Sequence, residues 1–238
     1  MPNFLISYPR SGNTWLRYCV EFLSERPTTS LLVGDAKKSN FIKPDAVGLK
    51  LIKSLRVMDP AILIKRHHLY ATWKGGIKYV CSCERCHYGL VDQDKIVFLV
   101  RDFRESIFRH IQPQLGPEME DQHMLDNLSR YMDLVYAYDR FKGAKMTVYY
   151  EDLITDPIAE LRRICKFLGV HSSHFPELTF NLEGHKAKAL QKYGASKSGG
   201  NQVSFHAKQA DPRLLRLMND TMNKQHSEMF DKHLNRYK

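Results

Sequence analysis

The sequence predicts a three-layer α/β/α domain built on a central parallel sheet, and three observations lead there. Short runs rich in Val, Ile and Leu recur along the chain and alternate with segments of helical periodicity. The longest run, Lys95–Val100 (KIVFLV), is apolar almost throughout, as a strand covered on both faces is. Between the first run and the first helix lies Tyr8-Pro9-Arg10-Ser11-Gly12-Asn13-Thr14-Trp15, whose composition suits a phosphate-binding loop of the P-loop-like kind.

Taken in order, Phe4, Leu5 and Ile6 suit a buried strand, and Leu16, Cys19 or Val20, and Leu23 repeat at helical spacing. Residues 47–52 and 61–65 read as further short strands, followed by KIVFLV. A helix is expected over 121–142 and a strand over 146–150. Asp156-Pro157 opens the clearest helix, with Asp as cap and Pro in the first turn. Ile158, Leu161, Ile164 and Leu168 form its buried stripe, and Gly169 ends it. Asp211-Pro212 opens another helix through Leu214, Leu215, Met218 and Met222. Segments 26–46 and 74–94 are rich in Gly, Pro, Ser and charge, as loops or lids are. In a parallel sheet ligands gather at the carboxyl ends of the strands, which is where the notable motifs fall.

At 238 residues the chain is most simply one domain, 1–238, with 43% hydrophobic and 26% charged residues. A formal charge of +10 favours an anionic partner: nucleic acid, an anionic membrane or glycan, or a multiply phosphorylated small molecule. The apolar run before Arg10 is too short for a secretory leader, and no stretch is long enough to span a bilayer. Five cysteines, three of them crowded at Cys81, Cys83 and Cys86, fit a reducing cytoplasm.

The chemistry of the first loop follows from its residues. Gly12 permits close backbone approach, Ser11 and Thr14 supply hydroxyls, and Arg10 adds a charged planar fork. The same residues also make an ordinary strand-to-helix turn. The Walker string Gly-x-x-x-x-Gly-Lys-Ser/Thr is absent. After KIVFLV comes Arg101-Asp102-Phe103-Arg104-Glu105-Ser106-Ile107-Phe108-Arg109, with Arg101 at a strand end and Arg109 about two turns into the following helix. These arginines either face a common anion or lie on a solvated helix face.

Together the two segments resemble the sulfotransferases that use 3′-phosphoadenosine 5′-phosphosulfate (PAPS). YPRSGNTW is similar to their 5′-phosphosulfate loop, YPKSGTTW, and VFLVRDFRESIFRH to their 3′-phosphate segment. VYYEDLITDPIAELRRICKFLGV resembles the family stretch YEDL…P…L..I..FLG, and SKSGGNQVSF echoes a late glycine-rich loop. The resemblance implies that Arg10, Ser11, Gly12, Asn13 and Thr14 cradle the 5′-phosphosulfate. It implies adenine contacts for Trp15 and Tyr150, a 3′-phosphate clamp from Arg101, and closure by Lys197, Ser198 and Gly199. Trp15 on its own reads as a core aromatic. Arg10 replaces the family lysine, and Arg109 stands where the family has a serine.

The resemblance also implies PAPS as donor, adenosine 3′,5′-bisphosphate as product and a small-molecule acceptor, with neither nucleic acid nor membrane as partner. It implies a short type without the N-terminal extension or anchor of larger members. The family base is a histidine in a Lys-Thr-His segment; here Lys65-Arg66-His67-His68 occupies that region. Aligning on lysine makes His67 the base, and aligning on the His-Leu pair makes it His68. Period-two geometry puts Lys65 and His67 on one face, which favours the first. No metal is required where Arg10 and Lys65 supply the positive charge.

Cys81, Cys83, Cys86 and His87 have zinc-ligand chemistry, but the spacing is tight for four ligands from one loop, and reduced thiols are the expected reading. Two rival functions stay open. A related nucleotide kinase would show ATP-dependent transfer. A basic nucleic-acid-binding module with a zinc knuckle would show steeply salt-dependent RNA or DNA binding without affinity for PAPS.

Overall fold

The computed structural model describes residues 3–26, 28–29, 62–66, 70–72, 78–80, 89–90, 92–115, 120–192 and 211–238. The expected strand over 47–52 and much of the segments 26–46 and 74–94 lie outside them.

The chain starts with β1 (Asn3–Ser7), α1 (Asn13–Ser24), β2 (Thr28–Thr29) and β3 (Leu63–Arg66). Three short strands follow, β4 (Tyr70–Thr72), β5 (Lys78–Val80) and β6 (Gly89–Leu90), forming their own antiparallel sheet. Then come β7 (Lys95–Val100), α2 (Phe103–Leu115), α3 (Asp121–Arg140), β8 (Ala144–Tyr149), α4 (Tyr150–Thr155) and α5 (Pro157–Leu168). The chain continues through α6 (Phe175–Phe180), α7 (Leu182–Lys192), α8 (Pro212–Gln225), α9 (Ser227–His233) and a final 3₁₀ turn (Asn235–Tyr237).

The main sheet has the order β2-β3-β1-β7-β8, with every pairing parallel. β1 lies at its centre, with β3 on one side and β7 on the other. The crevice beside its carboxyl end is therefore a topological switch point, the usual ligand position in such sheets.

Strand parity sorts the core into two layers. Phe4, Ile6, Ile64, Ile96, Phe98 and Val100 pack against α2, α3, α8 and α9. Leu5, Leu63, Val97, Leu99, Met146 and Val148 face the other way, against α1, α5 and α7. Adjacent strand residues point to opposite faces, so a continuous apolar run serves both layers. The expected α/β/α sandwich is the observed one.

Several local expectations also hold. Asp156 caps α5 by accepting from the Ala159 N–H at 3.1 Å. Gly169 ends that helix in the left-handed region at φ 72°, with the Val170 N–H bonded to the Cys165 carbonyl at 2.8 Å. Other boundaries are corrected. The strand expected over 146–150 ends at Tyr149, because Tyr150 already has helical geometry. The third strand runs from Leu63 to Arg66 rather than over 61–65. The 121–142 helix stops at Arg140. There Lys145 donates to the carbonyls of Tyr138, Asp139 and Phe141 at 2.9, 2.7 and 2.9 Å, satisfying acceptors that a helix end leaves open. Segment 74–94, read as loop, contains β5 and β6. No helix among the described residues is long and apolar enough to cross a membrane.

Candidate functional site

The loop between β1 and α1 takes an uncommon path. Arg10 and Gly12 both have left-handed backbone, at φ 66° and 89°, and a tight turn bonds the Ser11 N–H to the Tyr8 carbonyl at 3.3 Å. A non-glycine residue in that region is strained, and such strain concentrates at functional sites. Gly12 ends the loop. The first helical bonds run from the N–H groups of Trp15 and Leu16 to its carbonyl. The N–H groups of Asn13 and Thr14 thus precede the helical ladder, at the positive end of the α1 dipole.

Arg101, at the end of β7, closes the other side. It is only 5% exposed, and its Nη1 donates to the Arg10 carbonyl at 3.2 Å. Its guanidinium lies 4.3 Å from the centroid of the Tyr150 ring, in cation–π geometry. Tyr150, the first residue of α4, in turn packs on Gly12, where any side chain would collide with its ring. Nη2 of Arg101 donates to Glu105 Oε1 at 3.2 Å, and Nη1 of Arg109 reaches the same oxygen at 3.4 Å. Arg109 therefore turns toward the Arg101 cluster, not out onto a solvated face. Burial pulls the Arg101 guanidinium below its ordinary pKa; Tyr150 opposes the shift, Arg109 adds to it, and Glu105 and Glu151 oppose it.

The two segments also meet through hydroxyls, Ser11 Oγ lying 3.4 Å from Ser106 Oγ with both residues fully buried. Behind Arg101, the Tyr131 hydroxyl donates to its carbonyl at 2.8 Å. Glu151 accepts from the Asp102 N–H at 3.3 Å and from the Tyr237 hydroxyl at 2.7 Å, strapping the chain's last turn across the ends of β7 and β8. Arg104 points away, donating to Asp102 and to the Tyr237 carbonyl.

Lys65 stands near the end of β3, opposite Leu5 of β1 and two residues on from Leu63, so it shares the α1 face. Burial, reinforced by the Arg17 guanidinium, lowers its pKa to about 8. Arg17 is held by its Nε–H bond to Thr28 Oγ1 at 2.8 Å, and Thr28 donates to Glu21 at 2.6 Å.

The structure thus brings Arg10, Ser11, Gly12, Arg101, Arg109 and Tyr150 together, with Asn13 and Thr14 at the adjoining helix start. Trp15 is buried beside this loop, its ring stacked on Tyr18 at 6.0 Å between centroids. Its buried Nε1 has no hydrogen-bond partner among the described residues. His67, His68, Lys197, Ser198, Gly199, Cys81, Cys83, Cys86 and His87 lie outside the described residues. Glu105, Ser106, Arg17 and Tyr131 escaped the sequence reading. For Glu105 a signal existed: it lies four residues from each arginine, the spacing at which helical side chains meet.

Residues 90–174, from β6 to the start of α6, match the sulfotransferase family. Mouse sulfotransferase SULT7A1, solved in complex with PAP, has 15% identity and a TM-score of 0.56, covering 100% of this chain and 89% of that one. That likeness shows the fold. The sulfotransferase domain of the Synechococcus PCC 7002 olefin synthase has 19% identity and a TM-score of 0.45, covering 92% of this chain and 93% of that one. The sulfotransferase domain of the curacin biosynthetic pathway has 16% identity and a TM-score of 0.42, covering 98% and 97%. No curated protein matches the sequence.

Proposed function

We propose that the chain is a transferase that moves a sulfuryl group from PAPS to a hydroxyl or amine of a small-molecule acceptor, a reading supported by the match of residues 90–174 to the sulfotransferase family and by the shared fold. The observation that carries this reading is the hydrogen bond from Arg101 to the Arg10 carbonyl, which joins the loop after β1 to the end of β7. A donor with a phosphosulfate at one end and a 3′-phosphate at the other needs both halves side by side.

The residues present fit such a donor. The Gly12 cradle has no room for a side chain, the helix start presents N–H groups, and two arginines converge beside them. Arg10 through Thr14 would hold the phosphosulfate, Arg101 and Arg109 the 3′-phosphate, and Trp15 and Tyr150 would flank the adenine. Lys197, Ser198 and Gly199 would close over the 3′-phosphate. PAPS supplies the activated sulfuryl group, and its bond from sulfur to phosphate oxygen breaks as the acceptor atom bonds to sulfur. His67, or His68 in the other register, takes the acceptor proton. Lys65 and Arg10 hold the charge that develops on the departing phosphate oxygen. We read the chain as a single cytoplasmic domain, 1–238, without nucleic-acid or membrane partners.

The test is transfer of labelled sulfate from PAPS into a panel of alcohols, phenols, amines and sugars, read by mass spectrometry, with calorimetry on adenosine 3′,5′-bisphosphate. A sulfated product and saturable nucleotide binding are expected. Phosphoryl transfer from ATP, or salt-steep RNA binding with no affinity for PAPS, would overturn the reading.

A further inference from the structure

We propose that Glu105 is an internal counter-anion of the Arg101–Arg109 pair, competing with the 3′-phosphate and so setting how tightly the phosphorylated nucleotide is held and how readily the product leaves. The inference rests on the reading of that pair as the 3′-phosphate site.

Glu105 is buried, and one of its oxygens receives both guanidiniums, Arg101 at 3.2 Å and Arg109 at 3.4 Å. A carboxylate oxygen and a phosphate oxygen are alike to a guanidinium: both accept charge-assisted N–H bonds. The donors that reach Glu105 are thus ones a bound phosphate would draw on.

The same carboxylate could instead be a scaffold that aligns the arginines, and for Arg101 the geometry decides between the roles. Arg101 is held without Glu105, by the Arg10 carbonyl and by the Tyr150 ring. Arg109 is carried by α2, on the same helix as Glu105. Glu151 also acts electrostatically on Arg101, but Glu105 is the carboxylate whose one oxygen accepts from both arginines, so its negative charge lies between two largely buried cations. Neutralising it leaves like charges together in a poorly solvated place, which raises the free energy of the unloaded protein. An arriving phosphate then relieves that repulsion, so binding tightens.

The test compares wild type with Glu105→Gln and Glu105→Asp by calorimetry at one salt concentration. The ligands are adenosine 3′,5′-bisphosphate and adenosine 5′-monophosphate, which lacks the 3′-phosphate. Glu105→Gln is expected to bind the bisphosphate about tenfold tighter and to release it more slowly in stopped-flow displacement, with affinity for the monophosphate unchanged. Glu105→Asp keeps the charge but draws it back by one methylene, so a smaller tightening is expected; it carries the test if the glutamine variant does not fold. Unchanged or weaker bisphosphate binding in a folded variant overturns the inference, and so does an equal change for both ligands. Arg101→Ala separates the two layers. If it selectively lowers bisphosphate affinity while neither Glu105 variant tightens binding, the counter-anion role fails and the phosphate site stands. If it lowers neither affinity, the phosphate site fails with it.

Discussion

The ring of Tyr150 occupies the space that a side chain on residue 12 would need, and residue 12 is a glycine with φ 89°. Gly12 follows the central strand β1 and Tyr150 the edge strand β8, and their contact sets how closely the loop after β1 approaches the Arg101 guanidinium, which lies over that ring.

Gly12→Ala should therefore fail twice, through a strained left-handed backbone and through collision with a buried ring. The expected cost is about 2–4 kcal/mol of stability, with nucleotide binding lost or greatly weakened. Thermal melts and calorimetry on adenosine 3′,5′-bisphosphate measure both. A variant as stable as wild type with normal affinity would mean that the loop and ring move apart freely.

Lys65 gives a pH signature. With its pKa lowered to about 8, its positive charge is present below that pH and lost above it. If it holds the departing oxygen, kcat/KM should fall as pH rises through about 8. Lys65→Arg, which keeps its charge, should move that fall upward or abolish it. The stability contribution runs the other way: between about 8 and the ordinary 10.5 the unfolded chain binds more protons, so this group's share of stability rises with pH. A rate profile flat through that range in the wild type would rule Lys65 out as the cation.

Arg109→Ser introduces the serine found in the motif that this segment resembles and removes one donor to Glu105. Affinity for adenosine 3′,5′-bisphosphate should drop by about tenfold while the melting temperature holds and 5′-monophosphate affinity stays the same. Unchanged bisphosphate affinity would mean that Arg109 serves only Glu105.

His67→Ala should slow transfer to a neutral hydroxyl acceptor by about 10²–10⁴-fold, the range for losing a general base, and leave bisphosphate binding intact. His68→Ala should be milder. The reverse pattern selects the other register, and no effect from either variant places the base elsewhere.

Lys145→Met tests the fold away from the site. It keeps the aliphatic stem but removes three charge-assisted bonds to the end of α3. A loss of about 1–3 kcal/mol is expected, with nucleotide affinity unchanged in the folded protein. A melting curve identical to wild type would show that water replaces the lysine at little cost.

Much of this protein is determined by its sequence alone. The apolar runs dictate buried parallel strands, because Phe4, Leu5 and Ile6, or Ile96 through Val100, can be covered only by helices on both faces. Asp156, Pro157 and Gly169 set the limits of α5 through local backbone chemistry, which needs no partner distant in the chain. Both arginine segments and the glycine loop were legible for the same reason: their residue types are what anions require.

Only the tertiary structure decided how those parts meet. Ser11 and Ser106 are far apart in sequence and touch because β1 pairs directly with β7, a neighbour that periodicity does not specify. The same pairing carries Arg101 to the Arg10 carbonyl, and β8, beyond β7, delivers Tyr150 onto Gly12. Trp15 on its own reads as a core aromatic, and only the tertiary structure shows which ring it stacks on, that of Tyr18. The lowered pKa of Lys65 likewise depends on burial and on Arg17 of α1, neither of which is visible from its own strand. Local chemistry is written residue by residue, but strand order is settled by the free energy of covering two sheet faces at once, and the site exists where that order turns.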